Sequence, residues 1–239
     1  MRATAGTARA VIVQPTPYGE DPSVILDALA QDRGNLRGIV AASGDVDDAC
    51  LAVWQAAGVC GLRFVGAMAA HGGPMAGAVT PDRIPQWARH LRERQWHSEI
   101  WTDLDRFLQD WPMLEHQHVP VVLDHMGGFD VRRGVRDPAF LRLLALLREG
   151  AVWVKLVLCR RVAMGSSFDA LRPFHDELIE ANPNQLLWGS DWPFVRMGAQ
   201  TPDVGQLLRL FLQWVGDREL IERILVQNPQ RRYHFGAMS

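Results

Sequence analysis

The stretch that decides the fold is Leu186-Leu187-Trp188-Gly189-Ser190-Asp191-Trp192-Pro193-Phe194. Its apolar start reads as a buried strand, Gly189-Ser190 breaks the run, and Pro193 stops it. Strand alternation puts Leu187, Gly189 and Asp191 on one side, with Gly189 leaving space beside the backbone and Asp191 at the carboxyl end. In parallel α/β folds ligands bind at that end, in closed barrels and open sheets alike. A carboxylate there is a candidate general base or metal ligand. It could equally cap the following segment.

Working outward, strand and helix alternate along the chain. Strands are expected at Val11–Pro15, Leu36–Ala42, Gly61–Val65, His97–Trp101, Val119–Asp124, Ala151–Leu158 and Leu186–Ser190. Helices are expected at Pro22–Asp32, Asp45–Ala57 with Asp45 as N-cap, Pro81–Gln95, Asp103–Leu114, Pro138–Arg148, Phe168–Ala181, Val204–Val215 and Glu219–Val226. Most strands are continuous apolar runs, the mark of a parallel sheet covered by helices. The turn after the first strand, Pro15-Thr16-Pro17-Tyr18-Gly19, has no phosphate-cradling glycine pattern, which argues against a nucleotide-binding doubly wound sheet. A distorted (β/α)8 barrel, TIM-barrel-like and forming one domain over residues 1–239, is the better fit. Seven strands are recognisable. Residues 1–10 read as the tail of a helix entering Val11, so the first βα unit has no counterpart and two strand edges are expected to stay open.

Of the 239 residues 48% are hydrophobic, enough for one large core. A net charge of −2 with no basic stripe points away from nucleic acid and membrane surfaces. No run is long enough for a transmembrane helix, and the opening Met1-Arg2-Ala3-Thr4-Ala5-Gly6 lacks a signal-peptide core. Cys50, Cys60 and Cys159, each in an apolar setting, fit no disulfide or zinc framework and suit buried reduced thiols in the cytoplasm.

His125 follows its strand as Asp191 follows its own, so the two are expected at equivalent positions. A neutral imidazole there could polarise a carbonyl, shuttle a proton, bind metal or merely cap a turn. Arg63 and Lys155 lie inside apolar strands, an expensive place for a charge unless it meets an anion or an internal carboxylate such as Asp124. Arg160 and Arg161 follow a strand end, where a guanidinium can grip a substrate carboxylate. Tyr18 could reach a ligand or pack in its turn. His116, His118 and His97 precede or open strands, at the stability face, and are expected to be solvated; His175 and His234 have no evident partner. The set suits an anionic carbonyl substrate attacked by water.

The ordered motifs "VIVQPTPYGED", "GLRF", "VVLDHMGG", "VWVKL", "LLWGSDWPF" and "NPQRRYHF" resemble the 2-pyrone-4,6-dicarboxylate lactonase-like branch of the amidohydrolase superfamily, over about Val11 to Phe235. The resemblance implies a distorted TIM barrel and a hydrolase of lactones or related carbonyl compounds, from the breakdown of aromatic compounds. It implies Asp191 as the activator of the hydrolytic water, His125 as a polariser of the carbonyl, and Arg63 with Arg160 or Arg161 as holders of substrate carboxylates. No metal or cofactor is implied for the lactonase branch, although some relatives use a divalent metal such as zinc. The H-x-H pair that the family carries on its first strand has no counterpart in this sequence. Alternatives are a metal-dependent amidohydrolase or decarboxylase on the same barrel, or a barrel that only binds ligand.

Overall fold

In the computed structural model of the chain, residues 6–32, 34–44, 46–69, 72–161, 167–198 and 201–236 are described. Seven strands follow one another in sheet order as they do in sequence: β1 (Ala10–Val13), β2 (Leu36–Val40), β3 (Val59–Val65), β4 (His97–Trp101), β5 (Val121–Leu123), β6 (Val152–Leu156) and β7 (Leu186–Trp188). Helices fill the connections, as the apolar strand runs require. They are α1 (Ser23–Gln31), α2 (Asp48–Ala57), α3 (Ile84–Glu93), α4 (Leu104–Glu115), α5 (Pro138–Arg148), α6 (Arg172–Ala181), α7 (Val204–Val215), α8 (Arg218–Glu222) and α9 (Asn228–Tyr233). Every strand expected from the sequence is present, shorter at one or both ends in most cases. The helix expected at Glu219–Val226 is instead α8, a π-turn over Arg223–Gln227, and α9. Among the described residues no helix is long and apolar enough to cross a membrane.

The chain gathers into two compact units, one built on Leu123–Arg232, the other on Arg9–Val122 with Tyr233–Phe235. In the second, β1 to β4 pair in parallel, each with the next. Leu62 and Phe64 of β3 are fully buried, and α3 lays Ile84, Trp87, Ala88 and Leu91 on one face at helical spacing. The other face of β3 is set opposite β4 by register: Gly61 beside His97, Arg63 beside Glu99, Val65 beside Trp101. A Cβ on Gly61 would come within 2.8 Å of the His97 ring, so glycine is what admits the imidazole. The N-cap of α2 is Asp47, whose side chain accepts from the Cys50 amide. The expected cap, Asp45, lies outside the described residues.

In the Leu123–Arg232 unit, β6 and β7 run parallel, with Lys155 opposite Leu187 and Leu156 opposite Trp188. Helix α5 starts on Asp137, which accepts from the amides of Ala139 and Phe140, with Pro138 in the first turn where no amide donor is needed. Such a cap contributes about 1 kcal/mol. Helix α5 buries Phe140, Leu143, Leu144, Leu146 and Leu147, each burial stabilising by about 1.5–3 kcal/mol. Phe129 stacks on Phe174 at 4.3 Å between ring centroids, and Phe140 meets both edge-on at 5.0 Å. This aromatic knot fixes the loop that leaves β5. Asn228, from the closing motif, is buried and donates to the carbonyls of Pro183 and Leu186 at 2.7 Å, clamping the start of β7. The same motif lays Arg231 and Arg232 against the Trp153 ring of β6.

Candidate active site

Strand β7 ends at Trp188, so alternation does not carry as far as Asp191. Two other features place the carboxylate. Gly189 passes so close to Val157 that a Cβ would lie 2.7 Å from its Cγ2, which keeps the chain tight against the end of β6. Asp191 itself takes a left-handed backbone conformation, φ 62°. His125 does the same one residue past Asp124, with φ 49°, at the head of a short 3-10 turn, His125–Gly127. Non-glycine residues in this region cost free energy and persist where the surroundings hold them, as they do at working sites. The expected equivalence of the two residues is therefore met through turn geometry rather than through strand period.

The His125 Nε2 lies 3.4 Å from Asp191 Oδ1, and Arg160 Nε lies 2.5 Å from Oδ2. An ionised carboxylate only accepts, so this contact puts a proton on His125 Nε2. Arg160 also donates through Nη2 to the Val195 carbonyl at 2.9 Å, tying the β6 loop to the β7 loop. The side chains of His125, Asp191 and Arg160 are 7%, 19% and 27% exposed, so access rises from imidazole to guanidinium. Burial pushes the Asp191 carboxyl up, but the hydrogen bond and charge of His125, together with the Arg160 guanidinium, outweigh it and hold the group below its ordinary 3.8.

Cys159 completes the contact shell, with Sγ 3.6 Å from Asp191 Oδ2 and 3.9 Å from the Ser190 carbonyl. Burial, then the Asp191 charge, pushes its thiol up to about 12, so it stays a protonated thiol. From sequence Cys159 is expected to be a buried reduced thiol; its place immediately before Arg160 is the signal that brings it beside Asp191.

The remaining candidates fall elsewhere. Lys155 Nζ pairs with Asp124 Oδ1 at 3.1 Å, both side chains under a tenth exposed, which is the internal bridge weighed above. Arg161 donates to the Phe129 carbonyl and lies over the Phe129 ring at 5.5 Å, so the aromatic knot holds it where Arg160 meets Asp191. Arg63 and Tyr18 belong to the Arg9–Val122 unit. Arg63 is half-buried, opposite Glu99 and 5.8 Å from the Trp101 ring. Tyr18 ends a 3-10 turn after β1 and is half exposed. Glu99 is fully buried and was overlooked; an acid two residues after His97 in a strand shares its side, which is a readable pattern.

His97 corrects an expectation. It is fully buried, edge-on to Tyr233 and 3.7 Å from Glu99, because Gly61 makes room for it. His116 and His118 are exposed as expected. His175 is buried against Trp214 and Phe211, and that burial lowers its pKa. His234 Nε2 meets the Gln95 carbonyl at 3.1 Å.

A family model described as amidohydrolase matches residues 1–235. The chain belongs to the amidohydrolase family. This amidohydrolase is 31% identical to a 4-sulfomuconolactone hydrolase of Hydrogenophaga intermedia, over 95% of this chain and 75% of that protein. It is 30% identical to a 2-pyrone-4,6-dicarboxylate hydrolase of Comamonas testosteroni, over 98% of this chain and 78% of that protein. It superimposes on a Pseudomonas putida structure solved as a candidate 2-pyrone-4,6-dicarboxylic acid hydrolase with a TM-score of 0.85 and 27% identity. That match covers 99% of this chain and 87% of the other. The amidohydrolase is a hydrolase on a distorted TIM-barrel fold, with seven strands among its described residues. Among those residues no three His, Cys, Asp or Glu side chains stand close enough together to hold a metal ion. Arg160 on Asp191 Oδ2 also puts a cation where a metal would need that oxygen.

Proposed function

We propose that this amidohydrolase opens a lactone bearing carboxylate groups, of the 2-pyrone-4,6-dicarboxylate kind, in the cytoplasm and without a metal or other cofactor. The observation that carries the reading is the convergence of His125 and Arg160 on the two oxygens of Asp191. Asp191 takes a proton from water while the water oxygen bonds to the lactone carbonyl carbon. His125, beside that carboxylate, polarises the carbonyl and stabilises charge on its oxygen. The acyl C–O bond of the ring then breaks, and the leaving oxygen recovers the proton from Asp191. One water is consumed, and the product carries a new carboxylic acid that gives up its proton to solvent as a carboxylate. Arg160, the most accessible of the three, takes a substrate carboxylate. The relatives' names and the anion-binding chemistry of the guanidinium support the substrate class; the paired donors on Asp191 support its role.

The test is hydrolysis of 2-pyrone-4,6-dicarboxylate and 4-sulfomuconolactone, with and without chelator, by the wild type and by Asp191→Asn. Turnover that survives chelation and disappears in Asp191→Asn, while ligand still binds, is the expected result. Undiminished turnover in the variant removes Asp191 from the base role. Failure of the wild type on both lactones removes the substrate class.

A further inference from the structure

The two partners of Asp191 hold it differently. His125 is almost enclosed and faces Oδ1 at 3.4 Å, whereas Arg160 faces Oδ2 at 2.5 Å from a more open position. Cys159 is a neutral thiol 3.6 Å from the same Oδ2. A carboxylate oxygen already accepting a charge-assisted bond from arginine is a poor acceptor for a water proton, because such bonds are about twice as strong as neutral ones. As found here, the base of the proposed reaction is occupied by the group proposed to bind the substrate.

We propose that Arg160 is a positioning residue that keeps Asp191 idle, and that a carboxylate on the substrate releases Asp191 Oδ2 by drawing the guanidinium to itself. The proposal rests on the lactone-hydrolase reading above. The exchange swaps one carboxylate for another on the same cation, so the charge on Arg160 stays compensated. Its Nη2 bond to the Val195 carbonyl provides a pivot on which Nε can leave Asp191. Oδ2 is then open to a water proton, and His125 stays on Oδ1. Binding energy from the substrate's anionic group is thereby spent at the reacting centre, raising kcat as well as affinity. A lactone without a carboxylate enters a site whose base remains engaged.

The experiment compares wild type, Arg160→Gln and Arg160→Lys on 2-pyrone-4,6-dicarboxylate and on unsubstituted, neutral 2-pyrone. Arg160→Gln is expected to lose kcat/KM on the dicarboxylate and to gain at least about tenfold in kcat on neutral 2-pyrone, a part of the about 100- to 10,000-fold that a general base contributes. Arg160→Lys, which keeps a cation, should show no such gain. A simple carboxylate clamp would leave the neutral substrate's kcat the same in all three, and that result overturns the proposal. Independently of turnover, the Asp191 carboxyl is titrated by carbon NMR with and without benzene-1,3-dicarboxylate, a planar ligand with no lactone to hydrolyse. The ligand should raise the Asp191 midpoint in the wild type towards that of ligand-free Arg160→Gln, and move the variant little. Equal shifts in both proteins overturn the proposal. If the wild type opens neither lactone, the functional reading fails, and the titration alone decides the role of Arg160.

Discussion

Two ion pairs in the Leu123–Arg232 unit join a cation of the β6 segment to an aspartate that follows a neighbouring strand. Lys155–Asp124 starts from the body of β6, with both side chains under a tenth exposed and 3.1 Å between the charges. Arg160–Asp191 starts four residues beyond the end of β6, with one side chain about a quarter exposed and the other a fifth. The first pair is enclosed by protein on nearly every side. The second stands where an incoming anion can compete for the cation. Position along the strand, rather than the chemistry of the pair, sets how open each bridge is.

The sharpest way to break the comparison is to remove one charge from each pair. Asp191→Asn should cost about 100- to 10,000-fold in kcat, the usual contribution of a general base, while the circular dichroism spectrum and ligand affinity remain. Lys155→Met should do the reverse. Removing an ammonium from a buried carboxylate should lower unfolding stability by about 3–5 kcal/mol in urea titration. A loss below about 1 kcal/mol would mean Lys155–Asp124 behaves as a surface pair. Arg160→Gln, by contrast, should cost about 1 kcal/mol or less in the same titration, since its pair is partly solvated.

A pH series sharpens the contrast more finely. The native Asp191 carboxyl sits below its ordinary 3.8, so the unfolded chain binds more protons between the two values. Its stabilising contribution is complete above about 3.8 and is lost as pH falls through the lower native value. Asp191→Asn should flatten that part of the acid-unfolding curve. A curve of unchanged slope would mean that the His125 and Arg160 contacts add nothing to the native state. His175 acts in a different window: burial lowers its pKa from 6.5, so its contribution declines as pH falls from that value. His175→Phe should remove this milder slope near pH 6, measured by thermal unfolding.

Much of this was readable one residue at a time. The strand series, Pro138–Arg148 and Val204–Val215 as helices, and Asp191 with His125 as a pair all follow from apolar runs, helical spacing, and the position of polar residues at strand ends. His97 is buried where the sequence suggests a solvated residue, and Glu99 carries no expectation from the sequence. A histidine that opens a strand looks solvated unless the glycine on the next strand is known to lie against it, and Gly61 is 36 residues away in sequence. Arg160 and Arg161 are adjacent, identical in type and indistinguishable by pattern. Only the stacked ring of Phe129 and the carboxylate of Asp191 tell them apart.

By itself, then, the sequence determined the alternating layers, the position of His125, Arg160 and Asp191 past the carboxyl ends of strands, and the family, because these depend on hydrophobic period and on local order along the chain. The tertiary structure decided which charges meet. The left-handed turns at His125 and Asp191, the close approach of Gly189 to Val157, and the choice of Arg160 over its neighbour depend on contacts between segments far apart in sequence, where a shift of one ångström changes the partner.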